Sequence, residues 1–175
     1  RYDRAGYLDV LAALRAAVPG IALSTDIIVG FPGETEDDFA ETLSLVEQVE
    51  FDDAYTFKYS VREGTPAVRI KDHVSEDTKT ERIGRLIAAV RRVAKRKNMG
   101  LVGGGSTHEV LVEGPAKRGE LLQGRTRTNK IALFEGPAEW IGTYRQVRFT
   151  GTTGSTFTAW PLDREPAGAG GATWQ

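Results

Sequence analysis

Apolar residues run along this chain in two rhythms, and the change from one to the other organises it. Tyr7, Leu11, Leu14 and Val18 stand four, three and four residues apart, which puts them on one face of a helix that Pro19-Gly20 stops. Residues 21–30 are almost continuously apolar, the pattern of a parallel strand covered on both sides. Thr35 and Asp38 then form a capping-box-like pair, with Glu36, Asp37 and Asp38 suited to the positive end of a helix dipole, and Phe39, Leu43, Val46 and Val49 make that helix's buried stripe. Residues 53–60, rich in Tyr, Phe and Thr, predict a second strand, so 21–60 reads as a βαβ unit. A third helix is predicted over 75–97, burying Ile83, Leu86, Val90 and Val93 while its Arg and Lys residues crowd the other face.

The helical rhythm stops at Gly103-Gly104-Gly105-Ser106. Beyond it come short Val-, Leu-, Ile-, Thr- and aromatic-rich runs at 109–112, 121–127, 130–134, 144–149 and 156–160, separated by Gly or Pro. Five such strands in so few residues predict a small closed sheet in the manner of oligonucleotide-binding barrels. Residues 162–175, rich in Pro, Gly and Ala, read as a disordered tail. The fold class expected is therefore α/β over residues 1–100, followed by a small all-β barrel over 101–161. No internal repeat is evident.

Composition sharpens this picture at three points. No stretch approaches the roughly 18 apolar residues of a membrane span, so a soluble chain with no membrane partner is expected. No basic-then-apolar leader is evident, and with no cysteine in 175 residues neither a disulfide scaffold nor a thiolate-bound metal is expected, which favours a cytoplasmic home. The formal net charge of -1 conceals an asymmetry: residues 26–53 hold ten Asp or Glu and no Lys or Arg, whereas 79–130 hold thirteen Lys or Arg against four Glu. The basic segment suits phosphate binding; the plainer alternative is that the two segments neutralise each other or lie on solvated helix faces.

Three groups of residues are candidates for chemistry. In the loop after the first strand, Gly30, Pro32, Gly33 and Glu34 allow close approach of a ligand to the backbone beside a helix start, although a tight βα turn explains the same residues. Lys58, Tyr59, Arg62 and Thr65 follow the second strand, on the same rim if the strands are parallel; Arg62 suits a carboxylate or phosphate, or equally a salt bridge to the acidic helix. In the third group, Gly124 to Lys130 with Lys117 and Arg118 upstream, strand alternation puts Arg125 and Arg127 on one face, with Asn129 in register if the strand continues. Two guanidiniums in line can follow a phosphate backbone, and a solvated strand face is the competing reading. His73 and His108 read as surface histidines, and Trp140 as a core plug. No Ser-His-Asp arrangement and no Walker phosphate loop is present.

The run Ser24-Thr25-Asp26-Ile27-Ile28-Val29-Gly30-Phe31-Pro32-Gly33-Glu34, read with Phe57-Lys58-Tyr59-Ser60-Val61-Arg62-Glu63-Gly64-Thr65-Pro66-Ala67, resembles the radical S-adenosylmethionine methylthiotransferases, and among them most closely the MiaB branch. Gly124-Arg125-Thr126-Arg127 with Asn129 resembles the TRAM module, a small β-barrel that recognises tRNA in such enzymes. The resemblance covers nearly all of residues 1 to about 160. It implies the C-terminal part of a partial (β/α) radical S-adenosylmethionine barrel followed by an OB-like TRAM barrel. It implies methylthio insertion at C2 of an isopentenylated adenosine beside the tRNA anticodon, with S-adenosylmethionine and two 4Fe-4S clusters whose cysteine ligands lie outside these residues, so that these residues alone are inactive.

By that resemblance Ile28 and Gly30 lie beside the cofactor, with Thr25, Asp26, Glu34, Tyr59 and Arg62 as further rim candidates, while Lys117, Arg118, Arg125, Arg127, Asn129 and Lys130 face RNA. The implied partners are a tRNA anticodon stem-loop, the N-terminal part of the same enzyme and a reductant protein. Two other branches compete, one acting on threonylcarbamoyladenosine in tRNA and the RimO branch acting on a ribosomal-protein aspartate. A stand-alone, non-catalytic RNA-binding module is the alternative from a different class.

Overall fold

The computed structural model describes residues 3–117 and 119–164, and the chain divides into two compact units, Arg1–Ala94 and Lys95–Gln175. In the first, α1 (Arg4–Ala17) is capped by the Asp3 carboxylate, which accepts from the Gly6 amide. Strand β1 (Ser24–Val29) leads into α2 (Glu36–Val49), whose Thr35 and Asp38 close a full capping box, and β2 (Asp53–Lys58) follows. The strands are parallel, Ser24 opposite Asp53 and Val29 opposite Lys58, so 21–60 is the βαβ unit expected. A long helix, α3 (Glu76–Met99), follows and continues past the end of this unit at Ala94.

Two clusters fill this unit. Val29, Phe39, Val46, Leu86, Ala89, Val90 and Val93 knit β1 to α2 and α3. Leu11, Leu23, Val49 and Phe51 anchor α1, helped by Tyr7 and Leu8. Leu14 and Val18, expected on the buried face of α1, are exposed, because the packing partners reach only as far as Leu11.

The strands also depart from expectation: β1 alternates between exposed and covered positions instead of being buried on both sides. Ile27, Val29 and Ala54 face the helices, while Ile28, Tyr55 and Phe57 lie exposed on the opposite face. A run that reads as continuously apolar thus splits its two faces between a packed core and an uncovered apolar surface.

The second unit is a closed five-stranded barrel, β3 (Thr107–Pro115), β4 (Leu122–Thr126), β5 (Ile131–Phe134), β6 (Tyr144–Thr152) and β7 (Thr156–Pro161), in the order β3-β4-β5-β7-β6. All pairs are antiparallel except β5 with β7. Val110, Val112, Leu122, Ala132, Phe134, Val147, Phe149 and Phe157 fill it, with Trp140 plugging one side as expected. Inward-facing Gly124 leaves room for this: a Cβ there would lie 3.0 Å from Phe134 and 3.1 Å from Val110.

His108 is not a surface residue, because β3 begins one residue before it. Its ring stacks on Phe149 at 4.2 Å, and burial pushes its imidazole below the ordinary histidine range. Leu162–Arg164 form a 3₁₀ turn where the tail was expected to begin, and the rest of that expected tail lies outside the described residues. Among the described residues no helix is long and apolar enough to cross a membrane.

Candidate functional site

The loops after β1 and β2 share one rim. The Tyr59 amide donates to the Val29 carbonyl at 2.8 Å, and the Phe31 and Tyr59 rings meet edge-on at 5.1 Å. Gly30 turns the chain at φ +73°, and its amide donates to Glu34 Oε2 at 2.7 Å. Arg82 of α3 grips the same oxygen at 2.7 Å and the Glu34 carbonyl at 3.0 Å. The two side chains are only 5% and 11% exposed, so this is a buried, hydrogen-bonded ion pair of the kind that is costly to break from one side.

Lys79 completes the arrangement. A Cβ on Gly30 would stand 2.3 Å from Lys79 Cγ, so the space that glycine leaves at 30 is filled by the lysine stem and not open to a ligand. At Gly33 (φ +85°) a Cβ would meet nothing within 4 Å. The Lys79 ammonium lies 5.5 Å from the centre of the Tyr59 ring and pairs with Glu76 at 2.9 Å. Glu76 also meets Lys58 at 3.5 Å, and the Lys79 hydrogen bond, more than Lys58, holds its carboxyl below the usual range. The Tyr59 hydroxyl is buried without a hydrogen-bond partner among the described residues.

The structure therefore brings Gly30, Glu34 and Tyr59 together around two α3 residues that sequence reading placed on the solvated face. Lys79 and Arg82 are buried. A signal was available: continuing the Ile83, Leu86, Val90, Val93 stripe back by four residues reaches Lys79, and Arg82 precedes Leu86 by the same step. The remaining candidates scatter. Asp26 and Ile28 lie on the open sheet face, opposite Tyr55 and Phe57 in register, whereas Thr25 alternates to the helix side. Arg62 is exposed in the loop after β2, its carbonyl accepting from the Thr65 hydroxyl at 2.8 Å.

On the barrel, the basic group does not form one strand face. β4 ends at Thr126, and residues 127–129 make the turn to β5, with Asn129 left-handed at φ +63° and its amide donating to the Thr126 carbonyl at 3.0 Å. Arg125 is held on the barrel wall, Nε donating to Glu113 at 2.8 Å and Nη1 to Asn129 Oδ1 at 2.9 Å. Those bonds from Arg125, and then Gln123, keep the Glu113 carboxyl below its ordinary range. Arg127 is 87% exposed at the turn and, among the described residues, makes one long contact, to Glu109 at 3.4 Å. Lys130 closes the hairpin, its amide donating to Thr126 Oγ1 at 3.0 Å. Lys117 is exposed in the β3–β4 connection, and Arg118 lies outside the described residues.

Residues 104–156 match the TRAM domain, which takes in β3 to β6 and stops as β7 begins. The chain is 51% identical over 148 residues to a tRNA-2-methylthio-N(6)-dimethylallyladenosine synthase of Clostridium botulinum (strain Langeland / NCTC 10281 / Type F), covering 84% of this chain and 32% of that protein. It is similar to the like-named synthase of Acetivibrio thermocellus at 44% over 164 residues, 93% of this chain and 33% of that one. The chain belongs to this methylthiotransferase family. It spans about a third of the length of the curated relatives it matches. Within the family match, both the αβ unit and the barrel are covered, so the buried Glu34–Arg82 rim and the Arg127 turn sit in one homologous stretch.

Proposed function

We propose that this chain is the C-terminal part of a tRNA-2-methylthio-N(6)-dimethylallyladenosine synthase, in which the first unit walls the S-adenosylmethionine site and the TRAM barrel holds the tRNA anticodon stem-loop. Identity of 51% across 84% of the chain to a protein of that name carries the reading. The residues fit the cofactor: exposed Ile28 and Phe57 offer an apolar surface to an adenine, at the strand ends where such sheets take ligands. Asp26 shares that face and Arg62 follows in the exposed loop after β2, while Gly30, Glu34 and Tyr59 hold the rim in shape. Thr25 faces the helices and supports the strand. The bound cofactor would supply radical hydrogen abstraction.

The chain contributes no cluster ligand, since it has no cysteine. The thiolates, the clusters and the reductant-binding surface belong to the rest of the enzyme, which works in the cytoplasm. On the barrel, Arg127 at the β4–β5 turn is the leading phosphate contact, with Lys130 in the same hairpin; Lys117, in the connection at the other end of β4, and Arg118 are further candidates from the sequence. Arg125 and Asn129 brace one another and shape that turn.

Titration of a tRNA anticodon stem-loop at several salt concentrations tests the RNA half. Arg127→Ala is expected to weaken binding by about 1 to 3 kcal/mol and to flatten the salt slope by about one unit. An unchanged affinity and slope would leave Arg127 a solvated side chain. For the enzyme half, anaerobic reconstitution of these residues alone should give no brown iron-sulfur absorbance, and an upstream reading frame with a Cys-x-x-x-Cys-x-x-Cys motif should be present.

A further inference from the structure

The barrel carries two exposed aromatic rings that its core does not use. Tyr144, at the start of β6, is 61% exposed, and Trp160, near the end of β7, is 44% exposed. Strand register puts both on the outer wall. Val147 and Phe149 point inward, so Tyr144, Gln146 and Arg148 point outward; Arg148 pairs with Trp160 across β7, and Pro161 pairs with buried Val147. On the other side Tyr144 pairs with Leu111, which in turn pairs with Arg125 of β4. One row therefore reads Arg125, Leu111, Tyr144 and another reads Thr107, Arg148, Trp160. Trp160 stands on β7 opposite Arg148, which is four residues from Tyr144 along β6, a step of roughly 13 Å at about 3.3 Å per residue.

Aromatic rings on an open barrel wall, interleaved with arginines, are what a single nucleic-acid strand needs: a stacking surface for bases and cations for the phosphates between them. The local charge selects the same occupant. Residues 95–164 hold eleven Lys or Arg against six Asp or Glu. A polypeptide docking site would not require that surplus. Trp160 also lies beyond residues 104–156, so it is not part of the matched TRAM segment.

We propose that Tyr144 and Trp160 form a stacking platform for two unpaired bases of the bound RNA, on the β6–β7 wall beside Arg148. This rests on the RNA reading above and extends it from phosphate contacts at the Arg127 turn to base contacts on the wall. Base stacking and phosphate pairing have separable signatures. Stacking contributes affinity without releasing counterions, so losing it lowers affinity and leaves the salt slope alone.

The experiment titrates the whole chain with a short labelled single-stranded RNA, intact or with abasic positions, across several salt concentrations. Wild type should bind the intact strand on the order of tenfold or more tightly than the abasic one. Tyr144→Leu with Trp160→Leu should erase that preference with the salt slope unchanged, while Trp160→Phe, which keeps a ring, retains most of it. Both positions are exposed, so an unchanged unfolding temperature is expected and is checked in parallel. If the double variant binds as wild type while Arg127→Ala weakens binding, phosphate binding stands, the platform is overturned and the face is left for a polypeptide. If wild type binds no RNA at any salt, the RNA reading and the platform fall together.

Discussion

The two units of this chain solve the same problem, covering a small β-sheet, in opposite ways. The barrel closes its sheet on itself, so no strand edge is left and the inner face is filled by Phe134, Phe149 and Phe157, with Phe149 and Phe157 stacked at 4.0 Å. The αβ unit leaves its two parallel strands with one face on helices and the other uncovered, and ties the helices together with charge. Arg4 meets Glu41, Arg85 meets Glu36, and Arg92 meets Glu47. Those three pairs are solvent-exposed to different degrees, so water and salt screen them and each contributes little. Among the ion pairs of the described residues, Glu34–Arg82, with both side chains buried, is the one dry enough to matter more. The lesson is one of location: the barrel's stability lies in a diffuse apolar core, whereas the αβ rim depends on one buried pair.

If that contrast holds, the largest effect follows from truncating the barrel core. Phe157→Ala should cost about 3 to 5 kcal/mol, read as lost hydrogen-exchange protection in β3 to β7 with α1 and α2 unaffected. Loss spread evenly over the chain would end the division into two units. Arg82→Ala should follow, at about 3 kcal/mol, because Glu34 is left as a buried uncompensated carboxylate. Protection should fall at residues 30–34, and Arg82→Met with Glu34→Gln should recover part of it. A single variant no worse than the double would mean that the pair is not what holds the rim.

A smaller change probes the acidic start of α2. The Thr35 hydroxyl accepts from the Asp38 amide at 3.1 Å and donates to the Asp38 carboxylate at 2.7 Å, which also accepts from the Thr35 amide at 2.9 Å; the hydroxyl first, and then the amide, lowers the Asp38 pKa. Thr35→Ala should cost about 1 kcal/mol in chemical denaturation, confined to the first unit. The mildest test is pH. His108 is held below its ordinary value of 6.5 by burial, so the unfolded chain takes up a proton first as pH falls. Its contribution is full above 6.5, declines as pH drops from there through the lowered folded value, and is flat below that. The barrel of a His108→Phe variant should lose less stability than wild type between neutral and mildly acidic pH, and an identical pH profile would count against the stacked, desolvated imidazole.

Much of this molecule was readable from local rules. The capping box at Thr35, the five strands and the βα rhythm of residues 21–60 all follow from short-range geometry: alternation, helical spacing and cap chemistry act within a few residues. The family resemblance carried the rim loops and the TRAM barrel in the same way, through contiguous motifs.

What only the tertiary structure decided are the matters that depend on a partner distant in sequence. Lys79 and Arg82 look like solvent cations until Glu34, some 48 residues away, turns its carboxylate inward to meet Arg82. Gly30 looks like room for a ligand until the Lys79 stem is seen to fill it. Arg125 and Arg127 look like one strand face, yet Asn129 turns the chain and Glu113 holds one arginine while the other is left at the tip. Tyr144 and Trp160 come to share the outer wall only through the barrel's register, which sets Trp160 opposite Arg148 and Tyr144 opposite Leu111. The sequence by itself determined which segments would be helix or strand and which would be apolar, because those preferences are local free energies. It could not determine which charges would be buried or which rings would share a wall, because those are set by which elements come to lie side by side.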